Sequence, residues 1–198
     1  LNQILAEFTH FFPVWDTTRA AGLTSYLLLF ISIVTGITQS FKSIHPKKRK
    51  TLNLIHESTG WFGILFGLIH GLVLMFDYDI TLSIGEILIP FTAKTDTFSI
   101  GLGTLSLYIM LILIITSDYM KKIGVKLWRT IHFLSFPGYL LGLVHGIWLG
   151  PDTQKGLISL LYYITGIVVG GLVLWKIVCP RHSPKQTIQP KEEGTINS

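Results

Sequence analysis

Five stretches of this chain are each long and apolar enough to cross the hydrocarbon core of a bilayer, which is roughly 30 Å thick and takes about 20 helical residues. They cover approximately 20–39, 52–76, 98–117, 130–149 and 157–178. No other feature constrains the fold as tightly. Inside lipid every backbone N–H and C=O must find a partner within the protein, which leaves helices or closed barrels. The runs do not alternate polar with apolar residues, so strands are excluded and helices predicted. The expected fold class is all-α: a polytopic membrane helix bundle of about five transmembrane helices. With 49% hydrophobic and only 14% charged residues among 198, the chain has too little polar surface for a soluble domain of ordinary composition.

Charge divides the connecting segments into two groups. Residues 41–51 hold Lys42, Lys47, Lys48, Arg49 and Lys50, and residues 118–129 hold Lys121, Lys122, Lys126 and Arg129. The last span is followed or closed by Lys176, Arg181, Lys185 and Lys191. Residues 77–97 instead carry Asp77, Asp79, Glu86 and Asp96 against Lys94, and the 150–156 turn has Asp152 and Lys155. Basic loops stay in the cytoplasm. The chain is therefore expected in the cell membrane as a multi-pass protein with its N-terminus outside and its C-terminus cytoplasmic. The net charge of +5 is a topology signal in this setting and implies no nucleic-acid partner.

Three regions follow. Residues 1–16, with Phe8, Phe11, Phe12 and Trp15, read as an outer interfacial segment. Residues 17–178 form the transmembrane domain. Residues 179–198 are rich in Pro, Lys and Glu and read as a flexible cytoplasmic tail. Residues 1–12 lack the basic flank and unbroken apolar run of a cleavable signal, since Glu7 and His10 interrupt them. The single cysteine, Cys179, permits no intramolecular disulfide and no cysteine-based zinc or iron–sulfur site.

Ionisable side chains within membrane helices are costly and tend to face a protein interior with a partner. Four histidines fall inside the expected spans: His56 and His70, fourteen apart, on the second, and His132 and His145, thirteen apart, on the fourth. Both spans leave a basic loop and run in the same direction. His56 and His132 thus share the cytoplasmic level and His70 and His145 the outer level, with roughly 20 Å between levels at about 1.5 Å per residue. A haem iron with two imidazole axial ligands needs one such pair, and two haems would span most of the membrane. Zinc or copper, a proton path and hydrogen-bonded core histidines are the other readings of these residues. The level separation keeps all four from sharing one ion.

At about 100° per residue, His70 returns to within about 40° of His56, but His145 lies about 140° from His132 on a straight helix. Pro137 stands between them, and irregular geometry is expected near 136–138. Glycines surround the histidines: Gly60, Gly63, Gly67 and Gly71 on the second span, and Gly138, Gly142 and Gly146 on the fourth. They give room either to a flat macrocycle or to a neighbouring helix. Arg19, at the outer end of the first span, is a candidate partner for a haem propionate, and Lys126 and Arg129 are placed to do the same at the inner level. Trp61, Trp128, Trp148, Phe62 and Phe66 are candidates to pack haem edges. His10, His45 and His182 receive no role.

Two histidine pairs on alternate spans, spaced fourteen and thirteen, resemble the ferric reductase-like transmembrane family, which includes the membrane domains of ferric reductases and NADPH oxidases. The stretch Trp15-Asp16-Thr17-Thr18-Arg19-Ala20-Ala21-Gly22-Leu23 is similar to the beginning of the first core span in bacterial members. His56-Glu57-Ser58-Thr59-Gly60-Trp61 and Leu143-Val144-His145-Gly146 are similar as well. The likeness covers roughly 15–178. It implies two haem b groups, an inner one on His56 and His132 and an outer one on His70 and His145. It also implies electron flow from a cytoplasmic or membrane donor to an outer acceptor.

The large oxidases of this family carry a flavin and nicotinamide domain and typically six spans. Here five are counted and no dinucleotide fingerprint occurs. The chain therefore resembles a stand-alone haem subunit, as in the bacterial methionine-sulfoxide reductase system. Its expected donor is a separate flavoprotein or a quinol, and its acceptor or docking protein lies on the outer side, where residues 77–97 offer a surface. It would be the haem-bearing component of an oxidoreductase, with no residue acting as general acid, base or nucleophile. From another class, a transporter or channel using the histidines as a proton or metal relay is the alternative.

Overall fold

A computed structural model describes residues 13–41, 43–76, 82–150, 153 and 156–178. It is an all-α bundle containing five helical spans long and apolar enough to cross a membrane, and the protein is a multi-pass membrane protein. Helix α1 runs over Val14–Thr38 and α2 over Pro46–Val73, which a short 3₁₀ turn, Leu74–Phe76, extends. Helix α3 covers Thr97–Asp118. The fourth span is two helices, α4 (Val125–His132) and α5 (Ser135–Leu149), and the last is α6 (Gly156–Val178). Residues 1–12 and 179–198, expected as interfacial segment and tail, lie outside the described residues, and α1 already includes Val14–Asp16.

The helix ends follow local chemistry. Pro13 precedes α1 and Pro46 opens α2, positions where a missing N–H costs nothing. His45, assigned no role from sequence, is the N-cap of α2: its ring accepts from the Lys47 N–H at 3.3 Å. Gly124, at φ +86°, makes the left-handed turn between a one-turn helix, Met120–Ile123, and α4.

The fourth span is irregular, but one turn earlier than the expected 136–138. Its break is at Phe133 and Leu134. Proline clashes with the carbonyl four residues before it, and for Pro137 that residue is Phe133. The ring itself sits comfortably in the first turn of α5, and the disturbance is passed backwards. The chain tightens there: the Leu134 N–H donates to Ile131 O at 2.9 Å and the Phe136 N–H to Phe133 O at 3.3 Å. Such three-residue bonds add about 20° of rotation per residue, which turns His132 toward the face that holds His145.

Helix α1 packs along the whole of α2, and α3 along α5, while α2 and α5 scarcely touch. The bundle is thus two antiparallel hairpins facing each other across a gap, with α6 against α1 and α5. Its core joins Tyr26, Ile33 and Ile37 of α1 to Ile64, Met110, Leu113, Tyr139, Tyr162 and Val169. Because lipid offers no hydrogen bonds, the tyrosine hydroxyls pair internally. Tyr26 Oη lies 2.8 Å from Tyr139 Oη and also bonds Thr165 Oγ1, which ties α1, α5 and α6 together.

Between α2 and α3 a one-turn helix, Ile84–Leu88, is closed by a capping box: the Glu86 N–H donates to Ser83 Oγ, and the Ser83 N–H to Glu86 Oε2 at 2.9 Å. The Ser83 hydroxyl also donates to Glu86 Oε2 at 2.7 Å; this bond first, and the Ser83 N–H second, hold the Glu86 carboxyl below its ordinary value of 4.5. A depressed carboxylate stabilises the fold above its unfolded pKa and loses that contribution as pH falls through the folded one. Backbone amide exchange across 83–94 is expected to speed up as pH drops below the ordinary glutamate range, after correction for intrinsic rates. Glu86→Gln should remove this acid-dependent component.

Candidate functional site

The four spanning histidines meet in two pairs across the gap. The ring centroids of His56 and His132 are 6.0 Å apart with planes at 75°, and those of His70 and His145 are 6.0 Å apart at 83°. Two imidazoles bonded to one metal from opposite sides, at about 2 Å each, would have their ring centres roughly 6 Å apart. The pairs sit at opposite ends of the gap, His56 and His132 toward the end with the basic loops, called the basic end below.

Three of the rings are fixed the same way. His56 Nδ1 donates to Ser32 O at 2.8 Å, His70 Nδ1 to Thr18 O at 2.8 Å, and His145 Nδ1 to Ser99 O at 2.7 Å. A carbonyl oxygen only accepts, so the proton is on Nδ1 and Nε2 keeps its lone pair, the form a metal ligand requires. On a ring that ligates a metal, such a bond fixes the orientation and raises the basicity of the other nitrogen.

Each of these carbonyls lies four residues before a glycine that the ring covers. A Cβ on Gly36 would come 3.0 Å from His56 Nδ1, one on Gly22 2.8 Å from His70 Nδ1, and one on Gly103 2.7 Å from His145 Nδ1. A carbonyl one turn below a side chain is normally shielded by it; glycine uncovers its second lone pair. Gly22 and Gly36 are fourteen apart, matching His56 and His70 on the antiparallel partner. Sequence reasoning missed all three glycines as ring supports, though the repeated fourteen-residue interval in adjacent spans was the available signal.

A second missed signal is an internal repeat. Gly63-Ile-Leu-Phe-Gly67-Leu-Ile-His70-Gly71 and Gly138-Tyr-Leu-Leu-Gly142-Leu-Val-His145-Gly146 share three glycines, two leucines and the histidine in register. Their partners repeat too. Ser25 Oγ donates to Gly63 O at 2.7 Å from above Gly67, and Ser106 Oγ to Gly138 O at 2.8 Å from above Gly142. Gly22 and Ser25 on α1 thus correspond to Gly103 and Ser106 on α3. The glycines of α2 and α5 take up neighbouring helices: Gly60 faces Ser32, Gly63 Leu29, Gly71 Ile87, Gly138 Ile109 and Met110, and Gly146 Tyr162. Helix packing, rather than room for a ligand, accounts for them.

His132 departs from the pattern. Its buried Nδ1 finds no hydrogen-bond partner among the described residues. Its ring packs on Trp128, centroids 4.9 Å apart at 31°. Of the other aromatics, Trp61, Phe62 and Trp148 are more than half exposed. Arg19 lies beside Thr18, whose carbonyl holds His70, and its guanidinium is 3.7 Å from the Asp16 carboxylate. Lys126 and Arg129 are exposed on α4.

No three His, Cys, Asp or Glu side chains converge on one point among the described residues. A bare ion at either pair would have two protein ligands, fewer than zinc sites use. A metal carried in a planar macrocycle brings its equatorial donors and needs only two axial ones. The histidine pairs fit that requirement: two opposed rings at the right spacing, three with their Nε2 lone pair assured.

The family described as ferric reductase like transmembrane component matches residues 20–143. The chain is also similar to the protein-methionine-sulfoxide reductase heme-binding subunit MsrQ of Pasteurella multocida (strain Pm70), at 24% identity over 162 residues, covering 79% of this chain and 71% of that protein. No solved structure matches. Gly103→Ala is expected to push His145 off the Ser99 carbonyl at a cost of about 1–3 kcal/mol. Gly171→Ala, which meets open space, should leave stability unchanged or raise it by up to about 1 kcal/mol through helix propensity; thermal unfolding in detergent compares them.

Proposed function

Because the chain belongs to the ferric reductase like transmembrane component family, we propose that it is a haem-binding membrane subunit that carries electrons across the bilayer. One haem b is held by His56 and His132, the other by His70 and His145. The observation that carries this reading is the pairing of the four rings at 6.0 Å in two places. The haem-binding subunit named among its relatives supports it. When bound, haem supplies a one-electron iron couple whose potential depends on its axial ligands and their surroundings.

The protein's part is to hold the ligands and keep water out. Thr18, Ser32 and Ser99 orient three imidazoles through their carbonyls, and glycine makes each approach possible. Fourteen helical residues separate the levels by roughly 20 Å, so electrons move between two fixed stations within the membrane. Arg19 is placed to meet a propionate at the His70 and His145 level, and Arg129 and Lys126 to do so at the basic end.

By the positive-inside rule the basic end is cytoplasmic, giving an outside N-terminus and a cytoplasmic C-terminus in the cell membrane. The donor is a separate flavoprotein or a quinol, and the acceptor or docking protein meets the outer side.

Purified protein is expected to show a reduced-minus-oxidised spectrum with a b-type alpha band and about two haems per chain. His145→Ala should lower that to about one while leaving the protein folded. A colourless, folded wild type would sink the proposal and turn attention to a histidine relay in transport.

A further inference from the structure

The anchor missing at His132 has a specific cause. At the other three histidines a glycine uncovers the carbonyl four residues before it. By the repeat that matches Gly22 with Gly103 and Ser25 with Ser106, the position matching Gly36 on α1 is Ser117 on α3, and the carbonyl matching that of Ser32 is that of Leu113. Ser117 is not a glycine, and its own hydroxyl donates to Leu113 O at 2.7 Å. Leu113 O also accepts Thr116 Oγ1 at 3.2 Å, just as Ser32 O accepts Thr35 Oγ1 at 3.0 Å while still holding His56, so what sets the fourth position apart is the Ser117 side chain lying over the carbonyl where the others have a glycine.

The same hydroxyl oxygen accepts the Trp128 indole N–H at 3.1 Å. Trp128, one turn before His132 on α4, lays its ring against the imidazole. An indole held at one edge by α3 and packed on the imidazole limits rotation of that ring without touching Nδ1. His132 also stands one residue out of step with the repeat, since it lies six residues before Gly138 whereas His56 lies seven before Gly63. The carbonyl anchor was not simply lost: ring position, register and support all differ together.

We propose that Trp128, fixed by Ser117, is the positioning residue for His132, and that this arrangement gives the haem on His56 and His132 a higher reduction potential than a carbonyl-anchored ligand would. The inference rests on the di-haem reading above. A histidine whose Nδ1–H is given to a carbonyl is a more basic ligand and favours ferric iron. Without that acceptor the ligand is less basic and ferrous iron gains.

The test uses the full chain in detergent, with a redox titration and low-temperature electron paramagnetic resonance of the ferric haems. That resonance responds to the angle between axial imidazole planes. The signal absent from His132→Ala identifies the haem concerned. Trp128→Ala is expected to shift that signal alone and to weaken retention of that haem about 10-fold or more. Trp128→Phe keeps a ring on the imidazole but loses the indole N–H, and should give a smaller shift of the same signal. Ser117→Gly leaves Leu113 O with only the Thr116 hydroxyl, the condition in which Ser32 O holds His56 beside Thr35, and should lower the same midpoint by a tenfold change in the oxidised-to-reduced ratio, about 59 mV for one electron.

Unmoved signals and midpoints in Trp128→Ala and Ser117→Gly, with two haems bound, would overturn this inference and leave the di-haem function standing. A shift confined to the other haem would overturn it as well. If Trp128→Ala does not fold, Trp128→Phe and Ser117→Gly decide between the same outcomes. A wild type that binds no haem overturns the function and this inference together.

Discussion

An imidazole inside a bilayer has two nitrogens to satisfy and no water to help. Here the carbonyl beneath a glycine satisfies one of them, and the geometry of the bundle follows from that bond. For the bond to form, the helix carrying the histidine must come close to its neighbour, and a glycine must stand at the crossing. Gly22 and Gly36 under His70 and His56 fix the register of α1 against α2 at two points, so the hairpin has no freedom to slide. Gly103 under His145 does the same for α3 and α5. The tautomer that satisfies Nδ1 leaves Nε2 with its lone pair, so the structural requirement also provides the form that the proposed ligand role needs.

The internal repeat then accounts for how two such hairpins arise from few sequence instructions. The Gly63–Gly71 and Gly138–Gly146 stretches build equivalent crossings, each closed by a serine that donates to a glycine carbonyl. Two like hairpins placed face to face leave a gap lined by the helices with histidines. Helix α6 and the Tyr26, Tyr139 and Thr165 hydroxyls then lock α1 to α5 across the join. The gap remains open because α2 and α5 each pack closely on their own partner, α1 and α3, and scarcely touch each other.

What could be read in the chain without its structure divides along the same line. The spans were legible because lipid demands a long apolar run, and the histidines because each is an exception within one. Both are properties of a single helix. The partners of the histidines were not legible, because whether Thr18 or Ser99 offers a carbonyl depends on the register between two helices. The glycines flanking the histidines on their own helices drew attention instead, and they turned out to serve Leu29, Met110 and other neighbours. Pro137 announced a break but not its place, since a proline ring acts on the residue four positions earlier. The repeat was visible in the letters; counting only the intervals between histidines hid it.

The thirteen-residue spacing in the fourth span, awkward for a straight helix, becomes intelligible in this light. A fourteen-residue spacing would have placed the histidine where Ile131 now stands, in step with His56 and able to use the same kind of anchor. The chain instead sets it one residue later, breaks the helix at Phe133 and Leu134 to bring the ring back to face His56, occupies the Leu113 carbonyl with Ser117, and supplies Trp128 as a support. Each of these changes alone would disturb the site, yet together they return the ring to the same 6.0 Å from its partner. Two exact copies of one hairpin would hold all four rings by the same kind of carbonyl bond and leave both levels supported alike. On the proposed reading, electrons crossing the membrane gain direction from levels that differ, and the departure at His132 is where this fold makes them differ.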